Sequence, residues 1–436
     1  MERDLFKHLE DWKVKSRRKP LIVMGARQVG KTYLLKKFAK AKFKNFVYFN
    51  FEENPKLTRV FEGSLKPEEI LKNLTVETKT KIVPGQTLLF FDEIQECPNA
   101  LNSLKYFCEN APEYHICAAG SLLGVKLIHT KGFPVGKVDF LHLYPLGFFE
   151  FLKAIGEKEL LTSVNDQKNI SSLSSFIHDK LIRLFKIYMF VGGMPEAVLN
   201  YIETKDFAKV SEVHQAILNA YSLDFAKHAP KEELMKITRV WDSIPGQLAK
   251  ENKKFIYSTV RKGARAKDYE VALQWLSEAG LIHKVTNVST PKLPLEGYAN
   301  FDFFKLYLLD IGLLGAMSSL SPRAVIDGDV LFQEFKGALV ENYVAQELAY
   351  NGYKLYYWTS EGKAEVDFVI QHNDFIYPLE VKSGNSSKKQ SLRVYGEQYK
   401  PNVLIRTSPM NLRKDGKVLN CPLYFLKNLK IFLNEI

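Results

Sequence analysis

The sequence predicts an α/β chain: a parallel sheet with helices on both faces toward the N-terminus, a helical stretch behind it, and a second α/β region toward the C-terminus. Three observations carry this reading. An apolar run, Leu21 to Met24, closes on Gly25, and Gly30-Lys31-Thr32 follows five residues later. A second run, Leu88 to Phe91, closes on the acidic pair Asp92-Glu93. Farther on, Glu365-Val-Asp-Phe-Val-Ile and Tyr377-Pro-Leu-Glu-Val-Lys flank a His-Asn-Asp turn. Short apolar runs that end on glycine or acids, spaced by helical periods, mark strands buried between helices.

Residues 1–19 read as an amphipathic helix, since Leu5, Phe6, Leu9 and Trp12 recur at helical spacing and Pro20 ends it. The first strand is Leu21 to Met24. The loop Gly25-Ala26-Arg27-Gln28-Val29-Gly30-Lys31-Thr32 then fits G-x-x-x-x-G-K-[ST] between a strand and a helix, the setting a phosphate-binding loop requires. Its glycines let the backbone turn tightly and approach a ligand. Its N–H groups and the positive end of the next helix favour an anion. Lys31 would reach the β- and γ-phosphates, Thr32 would offer its hydroxyl to Mg2+, and Tyr33 completes the expected ATP-binding run. The following helix extends to about Lys42, and Phe46 to Phe51 is the second strand.

Pro84-Gly85 is a turn into the Leu88–Asp92 strand. Ligands sit at the C-terminal ends of strands in open α/β sheets. Asp92 is therefore expected to hold Mg2+ through water, and Glu93 to polarise the attacking water. Asn99 to Asn110 reads as a helix with Leu101, Leu104, Tyr106 and Phe107 as its apolar members. Tyr114 to Ala119 is a strand closing on Gly120-Ser121, where Ser121 would sense the γ-phosphate. The expected catalytic set is thus Lys31, Glu93 and Ser121, with Thr32 and Asp92 for the metal. Val138 to Leu143 is a further strand, stopped by Pro145. This gives a P-loop NTPase sheet over residues 1–145.

Residues 146–225 are helical, broken at Gly192-Gly-Met-Pro195, and read as a small lid. Residues 226–300 carry a helix near Leu234–Ala249 and a basic loop with Lys253, Lys254, Arg261, Lys262, Arg265 and Lys267. A helix capped by Asp268 follows, and then a wing strand from Leu281 to Val285. The pattern is winged-helix-like. Asp268, Glu270 and Glu278 would repel phosphates in a groove, so contact with another domain is expected ahead of DNA reading.

The last region, residues 301–436, begins with the helix Gln333–Asn351, on which Val340, Val344 and Leu348 form a buried stripe with Glu341 at its edge. Period two places Glu365 and Asp367 on one face of their strand, opposite Val366, Phe368 and Ile370. Glu380 and Lys382 likewise share a face. A hairpin would bring Asp367 to Glu380, with Lys382 beside them. Two adjacent carboxylates repel unless a divalent cation lies between them, the layout of magnesium-dependent phosphodiester hydrolysis. A hairpin with one solvated polar face gives the same alternation. Glu341, Asp367, Glu380 and Lys382 are the candidate second site, in an active nuclease or in an inert nuclease-like domain.

With these residues in place, the chain resembles a known family. The resemblance rests on Gly25–Thr32, Asp92-Glu-Ile-Gln95, Ala119-Gly-Ser121, Leu143-Tyr-Pro-Leu146, Gly192-Gly-Met-Pro-Glu196, Lys305 to Leu314, Glu365-Val-Asp-Phe368 and Leu379-Glu-Val-Lys-Ser383. It is similar to prokaryotic ATPases that pair an AAA-type N-terminal domain with a C-terminal domain of uncharacterised function and restriction-endonuclease-like PD-(D/E)XK fold. The resemblance implies ATP binding and a nuclease-like C-terminal half, without a settled substrate. Relatives carry Gly-Arg ahead of the Leu-Tyr-Pro strand, where this chain has Gly136-Lys137. A lysine cannot make the bidentate contact of an arginine finger, which leaves a trans-acting role and a structural one both open.

Composition bounds the rest. With 436 residues the chain exceeds one ordinary core, and 46% apolar with 25% charged residues is a globular balance. A net charge of +12 favours DNA or RNA as partners, although lysines such as Lys36, Lys37 and Lys40 fit a solvated helix face as well. No run is long and apolar enough for a membrane span, and the basic-then-apolar layout of a signal peptide is missing. Cys97, Cys108, Cys117 and Cys421 show no metal or redox spacing, so a cytoplasmic location is expected. The expected function is an ATP-hydrolysing switch tied to a nuclease-like domain that binds nucleic acid, a protein partner or a second copy. The alternatives are an ATP-regulated Mg2+-dependent nuclease and a non-catalytic DNA-associated regulator.

Overall fold

The computed structural model describes residues 1–120, 133–165, 169–251, 253–328, 333–360, 364–384 and 390–435; Ser121 lies outside them. The chain divides into two compact units, Met1–Tyr144 with Glu278–Gly280, and Pro145–Ser277 with Leu281–Ile436.

The first unit opens with α1 (Leu5–Val14), then β1 (Leu21–Met24), α2 (Lys31–Lys42), β2 (Asn45–Asn50) and α3 (Pro67–Thr78). It continues with β3 (Thr87–Asp92), α4 (Pro98–Asn110), β4 (His115–Ala119) and β5 (Asp139–His142). The strands form one sheet in the order β2-β3-β4-β1-β5, and every pairing is parallel. Parallel strands carry helices on both faces, which is why every residue of β3 and β4 is buried. Phe49, Phe51, Phe61 and Phe91 meet edge-on or tilted in the core beneath β3. The loop after β1 and the end of β3 therefore lie at the same edge of the sheet, on either side of β4.

The second unit begins with helices α5 (Phe148–Ala154), α6 (Lys158–Asn165), α7 (Ser175–Val191), α8 (Pro195–Thr204) and α9 (Phe207–His228). Then come α10 (Leu234–Leu248), α11 (Tyr257–Val260) and α12 (Ala266–Glu278). Asp268 does not precede α12 but lies in its first turn, where its carboxylate accepts the Arg265 N–H at 3.1 Å. The remaining elements are β6 (Ile282–Val288), β7 (Ala299–Leu308), α13 (Ile311–Met317), α14 (Gln333–Tyr350), β8 (Tyr356–Thr359), β9 (Glu365–His372) and β10 (Phe375–Val381). After them follow α15 (Gln390–Tyr399), β11 (Leu404–Ser408), β12 (Arg413–Asp415), β13 (Val418–Pro422) and α16 (Leu429–Asn434).

Strands β6 to β13 form one mixed sheet in the order β12-β13-β11-β10-β9-β8-β6-β7. The strand expected as a wing, β6, is thus an inner strand of this sheet, paired with β7 on one side and β8 on the other.

Two sequence expectations change here. Helix α14 is buried along Ala338–Ala349 on all sides, so Glu341 is inside the fold and not at the edge of a stripe. Its polar residues serve backbone groups of other elements: Asn342 binds the N–H and C=O of Leu308, Gln346 takes the Ile311 N–H, and Glu347 takes the Phe148 N–H. The β9 alternation also breaks. Trp358 pairs with Val366 and Tyr356 with Val369, so β9 spends one residue more than β8 over this stretch. Such a bulge reverses the pleat. Val366 and Val369 consequently share a cluster with Leu392 and Tyr395, whereas Phe368 meets Tyr307.

Among the described residues no helix is long and apolar enough to cross a membrane. All four cysteines are free.

Candidate functional site

The N-terminal site is built by the turn between β1 and α2. Gly25 has φ +146°, and a Cβ there would lie 2.2 Å from the Leu143 carbonyl oxygen. Gly30 caps α2 in a left-handed conformation, φ +93°. Both backbones are open to glycine and costly for other residues. Within the loop, Ala26 and Val29 are buried. Lys31 curls back, its Nζ donating to the carbonyls of Gly25 at 2.8 Å and Ala26 at 2.9 Å. Arg27 leaves the loop to pair with Glu52 at 3.1 Å. Gln28 adopts φ +66°. Tyr33 points outward, 57% exposed, beside Lys36, Lys37 and Lys40.

The acidic partner comes from the end of β3. The Thr32 hydroxyl donates to Asp92 Oδ2 at 2.7 Å, and the Tyr48 hydroxyl donates to the same oxygen at 3.1 Å. The Glu93 N–H donates to Oδ1 at 3.2 Å. Asp92 is only 2% exposed. Burial pushes its carboxyl above the ordinary carboxylate range, while the Thr32 and Tyr48 hydrogen bonds pull the other way. Burial and the Asp92 charge together push the Tyr48 phenol up. Glu93 sits in a left-handed backbone, φ +48°, and accepts from the Gln95 amide at 2.6 Å.

Hard oxygen donors, Thr32 and Asp92 in mutual contact at the mouth of a phosphate-type loop, suit Mg2+. Of the expected residues, the structure brings Lys31, Thr32, Asp92 and Glu93 to one sheet edge. It turns Tyr33 away from the loop interior.

Two supporting residues escaped the sequence reading. Arg3 donates from Nη1 to the Val29 carbonyl at 2.9 Å and from Nη2 to the Tyr144 carbonyl at 2.5 Å, bracing the loop from behind. Tyr48 stands on β2 beside β3 and is covered by Lys36, whose Nζ is 3.7 Å from the ring centre. Neither carries a motif; each is found only through the pairing of distant segments. Lys137, at the Gly-Arg position of relatives, pairs with Glu109 at 2.9 Å, with both side chains well exposed.

The second site is a cavity of about 860 Å³ in the C-terminal unit, lined by Lys253, Glu341, Glu365, Asp367, Glu380 and Lys382 among others. All four residues expected there reach it. The Asp367 Oδ2 accepts the Val381 N–H at 2.7 Å, which locks it beside Glu380. Glu380 Oε1 pairs with Lys382 at 2.7 Å, but Glu380 Oε2 is buried without a hydrogen-bond donor. Glu341 accepts the Tyr307 hydroxyl at 2.9 Å and pairs with Lys253 at 2.5 Å.

A third lysine was not foreseen. Lys305, 1% exposed on β7, pairs with Glu365 at 2.5 Å. Burial alone would lower its pKa, but the charges of Glu341, Glu365 and Asp367 outweigh it and raise it. Burial, and next the Glu341 charge, push the Asp367 carboxyl up to about 7. Among the described residues no three His, Cys, Asp or Glu side chains converge closely enough to hold a metal ion. Glu341, Glu365 and Glu380 each pair with a lysine of the same chain, whereas Asp367 accepts a backbone N–H.

Three segments of the chain match known family models. Residues 17–152 match the AAA domain family. An AAA-type, ATPase-like domain therefore stands at the N-terminal end of this α/β chain. Residues 182–324 match a domain of unknown function (DUF8612), and residues 336–424 match another (DUF4143). No curated protein matches the chain.

Among solved structures the chain is similar to the Walker-type ATPase of Pyrococcus abyssi, at 15% identity over 73% of this chain and 95% of that one, with a TM-score of 0.45. The Aeropyrum pernix ORC1 protein, solved with DNA, aligns at 10% identity over 72% and 90%, with a TM-score of 0.30. AMPPCP-bound DnaA of Aquifex aeolicus aligns at 15% identity over 63% and 85%, with a TM-score of 0.27.

Proposed function

We propose that this chain is an ATP-binding and ATP-hydrolysing switch of the AAA type, requiring Mg2+, whose nuclease-like C-terminal domain engages nucleic acid or a protein partner. The observation that carries it is the 2.7 Å contact between Thr32 and Asp92, directly below a loop whose lysine rests on its own carbonyls. Neutral carbonyls are weaker acceptors for an ammonium than phosphate oxygens. An arriving triphosphate would draw Lys31 onto its β- and γ-oxygens. The loop N–H groups and the start of α2 would face the same anion.

Thr32 and Asp92 would hold the Mg2+, which neutralises charge on the phosphates when bound. Glu93, steadied by Gln95, would orient the attacking water, and Ser121 would report the γ-phosphate. Calorimetric titration with ATP, with and without Mg2+, tests this. Magnesium-dependent uptake that Lys31→Ala abolishes is expected; no uptake by folded protein overturns the reading.

One observation favours a second reading, an ATP-regulated Mg2+-dependent nuclease: the buried, donor-free Glu380 Oε2 beside Lys382 and Asp367. A net charge of +12 supports a polyanionic substrate in either case. Magnesium-dependent nicking that disappears in Asp367→Ala would establish cleavage. Intact single- and double-stranded DNA and RNA after prolonged incubation would leave this domain a binding module.

A further inference from the structure

The C-terminal cavity joins two features that pull apart. Glu380 is 4% exposed, and its Oε2 lacks a donor, as if a cation belonged there. Yet Glu341, which such a cation would share, has both oxygens engaged, Oε1 by Lys253 and Oε2 by the Tyr307 hydroxyl. As the side chains stand, the acids do not form a metal cluster.

Three lysines pair with the acids of the cavity, Lys253 with Glu341, Lys305 with Glu365 and Lys382 with Glu380, and they differ in how they are held. Lys305 is part of strand β7 and fully buried, and Lys382 directly follows β10. Of these three, Lys253 is the one from an irregular segment, between α10 and α11, and its side chain keeps 17% of its surface exposed. Its backbone is left-handed, φ +48°, a conformation that lysine rarely adopts and that aims the side chain at the acids. The residues just after it are pinned: the Phe255 N–H donates to the Phe304 carbonyl at 2.8 Å, and Gln247 bonds both the N–H and the C=O of Ile256. Movement is therefore left to the Lys253 side chain, whose four-carbon stem can swing without the segment shifting.

We propose that Lys253 is an internal stand-in for a divalent cation: its ammonium occupies the cation position at Glu341 and latches the cavity against Mg2+ or Mn2+ until the side chain is drawn away. This rests on the second reading above, in which Asp367 and Glu380 are cation ligands. An ammonium and a divalent ion on one carboxylate oxygen repel each other across a few ångströms, so the two compete. An anionic strand entering the cavity would supply the rival partner that lifts Lys253 off Glu341.

The test is Mn2+ binding to the full chain without nucleotide, followed by paramagnetic resonance of the free ion. Lys253→Met keeps the stem and removes the charge. It should bind Mn2+ about tenfold more tightly than wild type, within the range that ligand neighbours commonly exert on metal affinity. Lys254→Met should match wild type. Adding Asp367→Asn to Lys253→Met should erase the gain, and this arm also subtracts any Mn2+ held at Asp92.

If Lys253→Met folds, as judged by its melting curve, and binds like wild type while Asp367→Asn still abolishes binding, the latch is wrong and the cation reading stands. If no variant shows binding that depends on Asp367, the cation reading fails and the latch with it. Lys253→Gln, an uncharged polar replacement, serves the same comparison should Lys253→Met not fold.

Discussion

Replacing Gly25 by alanine tests the loop geometry at its tightest point. The new Cβ would lie 2.2 Å from the Leu143 oxygen, 3.2 Å from the Leu143 carbonyl carbon and 3.3 Å from Val29 Cγ2. Carbon and carbonyl oxygen rest at about 3.3 Å or more, so the overlap is roughly 1 Å. Leu143 cannot simply recede, because its N–H is bonded to the Met24 carbonyl at 2.8 Å. The loop must move instead. Left-handed strain costs about 1–2 kcal/mol and overpacking about 1–3 kcal/mol, so the total is roughly 2–5 kcal/mol. Gly85→Ala is the matched control, with φ +73° and nothing within 4 Å of its Cβ, so it carries strain alone. In thermal melts Gly25→Ala should fall well below Gly85→Ala. In ATP turnover Gly25→Ala should lose roughly 100-fold, the effect of a displacement of about 1 Å at a reacting group, while Gly85→Ala stays at wild-type turnover. Wild-type turnover and melting in Gly25→Ala would refute the idea that the loop is braced against Leu143.

Other outcomes follow from the same geometry. Lys31→Ala and Glu93→Gln should each lower ATP turnover by about two decades or more, and Glu93→Gln should still bind ATP in a calorimeter. Because burial raises the Asp92 carboxyl, protons compete for it earlier than for an ordinary acid; Mg2+-dependent ATP affinity should weaken on going from pH 8 to pH 5.5. Glu347 is raised by burial, and further by Glu150, from 4.5 to about 7. The folded protein therefore keeps a proton that the unfolded chain releases, and this contribution is full below the unfolded value and lost as pH rises through about 7. Glu347→Gln retains an acceptor for the Phe148 N–H and removes the charge. It should melt above wild type at pH 8, by up to roughly 3 kcal/mol of stability, with the gap closing toward pH 4.5.

The phosphate-type loop was legible because its backbone conformations restrict residue choice: Gly25 and Gly30 stand where a side chain is refused. The acid pair was legible because a parallel strand buried on both faces needs an unbroken apolar run before its polar end, as in Leu88 to Phe91. Arg3, Tyr48, Lys253 and Lys305 were not legible. Each acts on a partner far away in sequence, and nothing local announces it. Lys305 illustrates the difficulty: inside Phe303-Phe-Lys-Leu-Tyr-Leu it reads as an ordinary outward strand residue, and only acids from other elements keep it charged in the interior. Strict alternation misled along β9, because a one-residue bulge is a property of the pairing with β8 and not of β9 itself. Helical periodicity misled along α14 for a related reason. A helix enclosed on all sides has no solvent face to define a stripe, and its polar residues answer to backbone groups of its neighbours.

The placement of β6 between β7 and β8 governs how the C-terminal half can be prepared for experiment. A fragment starting at residue 301 would retain most of β7 yet lack the strand that joins it to the remainder, because β7 pairs with β6 and β6 with β8. Both orphaned borders would offer bare N–H and C=O groups to any passing chain, a recipe for aggregation. Fragments intended to fold by themselves should begin upstream of Ile282, and those meant to report on Lys253 should begin upstream of α10.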